Sequence, residues 1–91
     1  MSMKKETKRK VLRRLKIIEG QVRGLENMVE NDTYCVDVIT QTSAVRQALS
    51  SIEDVMLENH LSTHVVEQMK GGAHKKATEE MLAIYKLSKK R

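Results

Sequence analysis

The sequence predicts an all-α fold, and two observations carry that reading. Proline is absent and only four glycines occur in 91 residues, so long stretches contain nothing that breaks a helix. Apolar residues recur at three- and four-residue spacings, and no stretch alternates with the period of two that a half-buried strand needs. Trp and Phe are missing and only two Tyr are present, which leaves a short chain little with which to build a self-sufficient core. Association with further copies of itself is therefore expected.

Three helices follow in order. The first runs from about Glu6 to Glu30, where Val11, Leu15, Ile18, Val22, Leu25 and Val29 form an a/d stripe. Lys5, Arg9, Arg13, Lys16 and Arg23 cluster on the other side, with Gly20 among them. The first 23 residues hold nine Lys/Arg against two Glu, so this face is one-signed and favours phosphate contact over a salt-bridged surface. Asn31-Asp32-Thr33 supplies a break and candidate N-caps for the next helix. The second helix runs from about Thr33 to Met69, with Val38, Val45, Leu49, Ile52 and Met56 keeping the period and Gly71-Gly72 as its stop signal. The third, about His74 to Lys89, carries Ala77, Met81, Leu82, Ile84, Tyr85 and Leu87 and ends in the basic SKKR tail. No internal repeat or long linker divides the chain, so residues 1–91 are read as one domain.

A formal charge of +5 is consistent with a polyanionic partner, and charge alone does not choose between nucleic acid and an anionic membrane. No apolar run is long enough to cross a bilayer, and the opening MSMKKETKRK lacks the apolar stretch of a signal peptide. The expectation is a cytoplasmic protein without a membrane partner. A single Cys excludes an intrachain disulfide and suits a reducing compartment.

The stretch ENHLSTH places His60 and His64 four residues apart, so on a helix they share a face as a chelating pair. Cys35 is the candidate third ligand. It lies 25 residues before His60 on the same predicted helix, roughly 37 Å away at 1.5 Å per residue. Metal–ligand bonds of about 2 Å cannot span that distance within one chain. Around the helix axis, however, Cys35, His60 and His64 point the same way, within roughly 20°. A second copy packed antiparallel, with its dyad near residue 48 and the small Ala44 and Ala48 close by, would set Cys35 of one chain opposite His60 of the other and create two equivalent sites. This inference requires the second helix to be continuous.

Several tracts then carry a family resemblance: RLKIIEGQVRGLENMVEND in the first helix, YCVDVITQTSAVRQAL opening the second, ENHLSTH further along, and GGAHKKATEEML leading into the third. The chain resembles the copper-sensitive operon repressor family, whose relatives include nickel/cobalt- and formaldehyde-sensing repressors. The resemblance covers nearly the whole sequence. It implies a three-helix protomer, an antiparallel dimer forming a four-helix bundle, and a dimer of dimers. It also implies transcriptional repression, in which the metal-free form binds operator DNA and metal at an intersubunit site releases it.

Carried over by residue, the resemblance implies that Cys35 from one protomer and His60 and His64 from the other are the ligands. The copper branch most often ends its set with a second Cys where His64 stands here. Tyr34 and Glu80 match the positions of groups that link the metal site to the third helix in copper-sensing members. The nickel/cobalt branch adds an N-terminal histidine, and Met3 stands in its place. A thiolate with two imidazoles suits low-coordinate Cu(I), the effector expected here, and also accommodates Zn(II), with Ni or Co as further alternatives. Persulfide sensing needs two thiols per site and is set aside; formaldehyde sensing through Cys35 keeps the same fold. No general base or substrate pocket stands out, so an enzyme is not expected. Lys8, Arg9, Arg13, Arg14, Arg23 and Arg46 are the candidate DNA contacts, with double-stranded operator as partner. A tetramer would carry four times +5, or +20, and its binding would depend strongly on salt. A basic helical protein that coats DNA without any effector is the alternative of a different class.

Overall fold

The computed structural model describes residues 3–90; Met1, Ser2 and Arg91, the last residue of the SKKR tail, lie outside the described residues. Helix α1 spans Lys5–Glu30 and helix α2 spans Cys35–His60. A π-helical segment, Leu61–Val65, continues directly into the short helix α3, Val66–Lys70, and α4 spans His74–Ser88. Backbone angles at His60, Val65 and Val66 are all right-handed helical, so the chain stays helical from Cys35 to Lys70. This is the expected second helix, with a local change of pitch near its end. No strand occurs among the described residues.

The chain divides into two compact units, Met1–Leu57 and Glu58–Arg91. In the first, α1 and α2 form an antiparallel hairpin whose core is Val11, Ile18, Val45 and Ile52, with Leu25, Ala48 and Val55 packed against it. Buried positions on both helices repeat every seven residues, the spacing of a two-helix seam. Only part of the predicted α1 stripe is used, because Leu15, Val22 and Val29 remain exposed. Ala48 belongs to this core, which leaves exposed Ala44 as the small residue free to face another chain. Arg14 donates to the Ser51 hydroxyl (3.3 Å), and Ser51 donates to the Ala48 carbonyl (2.9 Å), tying the two helices at mid-length.

Asn31-Asp32-Thr33 makes the expected break between α1 and α2 but differs in its capping role. Rather than capping α2, it terminates α1: Asp32 adopts φ 53°, with N–H bonds from Asp32 to the Val29 carbonyl and from Thr33 to the Met28 carbonyl. These are the two bonds of a Schellman motif, which satisfies carbonyls that the end of the helix leaves orphaned. The opening turn of α2 is instead anchored on the Tyr34 carbonyl, which accepts from the Asp37 and Val38 N–H groups.

In the second unit, α3 ends in the same motif. Gly72 takes φ 81°, its N–H bonds to the Met69 carbonyl, and the Ala73 N–H bonds to the Gln68 carbonyl. A left-handed residue with a Cβ is strained, so Gly72→Ala is expected to destabilise the fold by about 1 kcal/mol. Urea denaturation checks this, with a lowered midpoint and an unchanged slope. The turn folds α4 back so that Ala77, only 3% exposed, packs beneath it. Val65, Met69, Thr78, Met81, Leu82 and Tyr85 line an apolar cleft of about 430 Å³ together with Ala77.

Two hydroxyls meet the backbone at the start of the π-helical segment. The Ser62 and Thr63 hydroxyls both donate to the Asn59 carbonyl, at 3.2 and 2.7 Å. Similar back-bonds at Thr40, Thr42 and Thr78 leave the helix regular, so the hydroxyls accompany the π-helical turn without by themselves accounting for it.

Candidate metal centre and nucleic-acid interface

His60 is the last residue of α2, and His64 lies inside the π-helical segment. One turn apart, their rings meet edge to face with centroids 5.0 Å apart, and the two Nδ1 atoms are 3.0 Å from each other. Both rings are half-buried, and both Nε2 atoms are buried with no hydrogen-bond partner. Two nitrogens bound to one ion at about 2.0 Å each sit roughly 3.3–3.5 Å apart at trigonal or tetrahedral angles. The observed separation is a few tenths of an ångström short of this, a gap closed by small ring rotations. The pair therefore fits a metal ion taken through Nδ1.

Cys35 is the first residue of α2, and its thiol is exposed. His60 is the last residue of the same helix, 25 positions further along the chain. Among the described residues, no three His, Cys, Asp or Glu side chains of a single chain converge as a ligand group. Tyr34, beside the thiol, is 72% exposed.

Glu80 on α4 accepts a 2.6 Å hydrogen bond from the Gln68 side-chain amide. That bond holds its carboxyl below the usual range; burial opposes the effect, while Lys76, His60 and His64 add to it. Gln68, which holds Glu80, is a residue that sequence reasoning missed. A signal for it was present in the sequence: His60, His64 and Gln68 follow one another at i, i+4 and i+8. His74 is exposed, and its ring Nε2 donates to the Met69 carbonyl at 3.1 Å.

The proposed DNA contacts lie on two helices. Lys8, Arg9, Arg13 and Arg23 are exposed along α1, and Arg46 is exposed on α2. Arg14 is turned toward α2 by its bond to Ser51. The face is not wholly free of acid, since Arg9 pairs with Glu6 at 3.9 Å and Lys16 with Glu19 at 3.6 Å. Exposed pairs of this kind contribute little, at most about 1 kcal/mol, and yield readily to phosphate. No helix among the described residues is long and apolar enough to cross a membrane.

Comparison with known proteins agrees with this architecture. The copper-sensing transcriptional repressor CsoR of Bacillus subtilis (strain 168) is 46% identical over 79 residues, covering 87% of this chain and 78% of that protein. The copper-sensing transcriptional repressor RicR of Mycobacterium tuberculosis is also 46% identical, over 78 residues, covering 82% of this chain and 81% of its own length. The crystal structure of the copper-sensing repressor CsoR with Cu(I) from Geobacillus thermodenitrificans NG80-2 superposes with a TM-score of 0.87 at 34% identity, covering 96% of this chain and 91% of that one. The family model described as metal-sensitive transcriptional repressor matches residues 7–86. On the strength of that match and these identities, the chain belongs to the metal-sensitive transcriptional repressor family, a family of regulators rather than enzymes.

Proposed function

We propose that this protein is a Cu(I)-responsive transcriptional repressor, cytoplasmic, whose metal-free form binds operator DNA and whose metal-bound form lets it go. The observation that carries the reading is the half-buried His60/His64 pair, with its Nδ1 atoms converging at 3.0 Å, in a chain similar to copper-sensing repressors. Cys35 of one protomer and His60 and His64 of its partner form the ligand set, in an antiparallel dimer that pairs again into a tetramer. Residues 1–91 act as one metal-sensing, DNA-binding domain. The exposed Leu15, Val22, Val29, Ile39 and Leu49 give the assembly apolar surface to bury.

When bound, Cu(I) supplies a soft, low-coordinate centre that suits a thiolate and two imidazoles. Cys35 contributes the thiolate from the start of α2, and the π-helical segment presents the two imidazoles. Tyr34 and Glu80 flank the site and couple it to α4. Lys8, Arg9, Arg13, Arg14, Arg23 and Arg46 supply the phosphate-facing charge, with Arg14 joining the bonding between α1 and α2 to that surface. Release is linkage: an effector that binds the DNA-poor conformation better shifts the population toward it, and DNA weakens the effector by the same factor.

Anaerobic titration of the reduced protein with Cu(I) against a strong chelator, with operator-DNA anisotropy as readout, tests the proposal. One Cu(I) bound per protomer, with release of DNA, is the expected result. Release driven by Zn(II), Ni(II), Co(II) or formaldehyde instead would keep the repressor and replace its signal. DNA binding indifferent to all of them would favour an effector-independent coating protein.

A further inference from the structure

The turn between α3 and α4 brings together an imidazole and soft donors that the site above does not use. Gly72, at φ 81°, folds α4 back so that the ring of its first residue, His74, reaches the end of α3, where Nε2 donates to the Met69 carbonyl at 3.1 Å. A neutral imidazole that donates from Nε2 carries its lone pair on Nδ1. A ring N–H held by a backbone carbonyl is also the usual outer support of a metal-ligating histidine, because it fixes both the tautomer and the direction of the ring. His74 is exposed, so an ion in solution has access to it.

Met69 supplies the second donor. It stands in the last turn of α3, beside the carbonyl that holds His74, and is 50% exposed. A methionine so open fills no core, and its thioether is a soft ligand that protonation never removes. Met81, about two helical turns along α4 from His74, lines the same apolar cleft as Met69 and adds a further thioether there. Two or three neutral donors of this kind match Cu(I), which accepts soft ligands and low coordination; Zn(II), Ni(II) and Co(II) take more donors and harder ones. Charge points the same way. Lys70 and Lys75 are exposed on either side of the turn, and their repulsion of a divalent ion is about twice that of a univalent one.

We propose that Met69 and His74 form a second Cu(I) site, the ion held by Met69 Sδ and His74 Nδ1 with the Met81 thioether as third donor. The site uses none of Cys35, His60 or His64 and stands independently of their role. Lacking a thiolate, it is weaker than a Cys/His/His centre, so a strong chelator keeps it empty and it fills second. Its place at the surface lets an ion enter and leave without opening the fold.

The test uses the full-length, reduced protein with 13C-labelled methionine methyl groups and 15N-labelled histidine, titrated anaerobically with Cu(I) to two equivalents per protomer without a strong chelator. The second equivalent should shift the Met69 methyl and His74 Nδ1 resonances, and Zn(II) in its place should leave the methyl resonance where it was. Met69→Leu and His74→Gln should each weaken binding of the second equivalent by roughly tenfold or more, at least the effect of losing an outer partner. The first equivalent and Cu(I)-driven release of operator should stay as in wild type. Leucine keeps the apolar volume of Met69, and glutamine keeps a donor for the Met69 carbonyl, so both changes are mild ones for the turn.

The wild-type resonances decide the matter even where a variant fails to fold. A Met69 methyl resonance unmoved up to two equivalents, the same shifts with Zn(II), or second-equivalent binding unchanged in either variant would overturn the site and leave the repressor reading standing. Cu(I) bound at Met69 and His74 by a protein that keeps its operator DNA would uphold the site and remove the sensor reading.

Discussion

Cys35→Ala is expected to uncouple DNA binding from Cu(I). The Cu(I)-driven fall in operator affinity, of the order of 5- to 150-fold for coupling energies in the usual range, should disappear in the variant. Cu(I) affinity should fall by more than the 10- to 100-fold typical of losing an outer-sphere partner, because a first ligand and the only soft one is removed. Metal-free operator binding should survive nearly unchanged. The thiol is exposed at the start of α2 and belongs to neither the core nor the basic face, so its replacement costs at most about 0.5 kcal/mol of stability. Chelator competition and anisotropy read the two halves separately. A variant that still released DNA in response to Cu(I) would show that Cys35 is not a ligand.

The second large effect concerns the basic face of α1. Replacing Arg9 and Arg13 together with alanine should weaken metal-free operator binding at every sequence tested. The slope of log affinity against log salt should become shallower by about 0.9 for each DNA phosphate that the assembly no longer neutralises. The two side chains are exposed one turn apart on the helix, so the change removes charge without opening the Val11/Ile18 core. Cu(I) affinity of the free protein should be unaffected, which separates this surface from the metal site. An unchanged salt slope would place the DNA-binding surface elsewhere. Arg14 makes an informative contrast: its bond to Ser51 means that Arg14→Ala should perturb packing between α1 and α2 as well as charge.

Much of this molecule follows from the order of its residues. Helical periodicity and the scarcity of Gly and Pro set α1, the continuous helical stretch from α2 through α3, and α4 to within a few residues, since these are local preferences summed over long windows. The His60/His64 spacing makes a chelating pair wherever the backbone is helical, and the 25-residue separation from Cys35 rules out closure within one unbroken helix. The charge asymmetry of the first helix is likewise a property of the sequence itself.

The tertiary structure decided matters that depend on what stands opposite a given side chain. Half of the α1 stripe is buried and half exposed because a single neighbouring helix can cover only one strip of its surface. Ala48 went to the intrachain core and not to a free face. Asn31-Asp32-Thr33 could equally have ended one helix or begun another, and backbone hydrogen bonding chose the former. The Gln68–Glu80 bond joins residues twelve apart across the Gly71-Gly72 turn. Periodicity along a single helix carries no information about such meetings, because they exist only once the chain has folded back on itself.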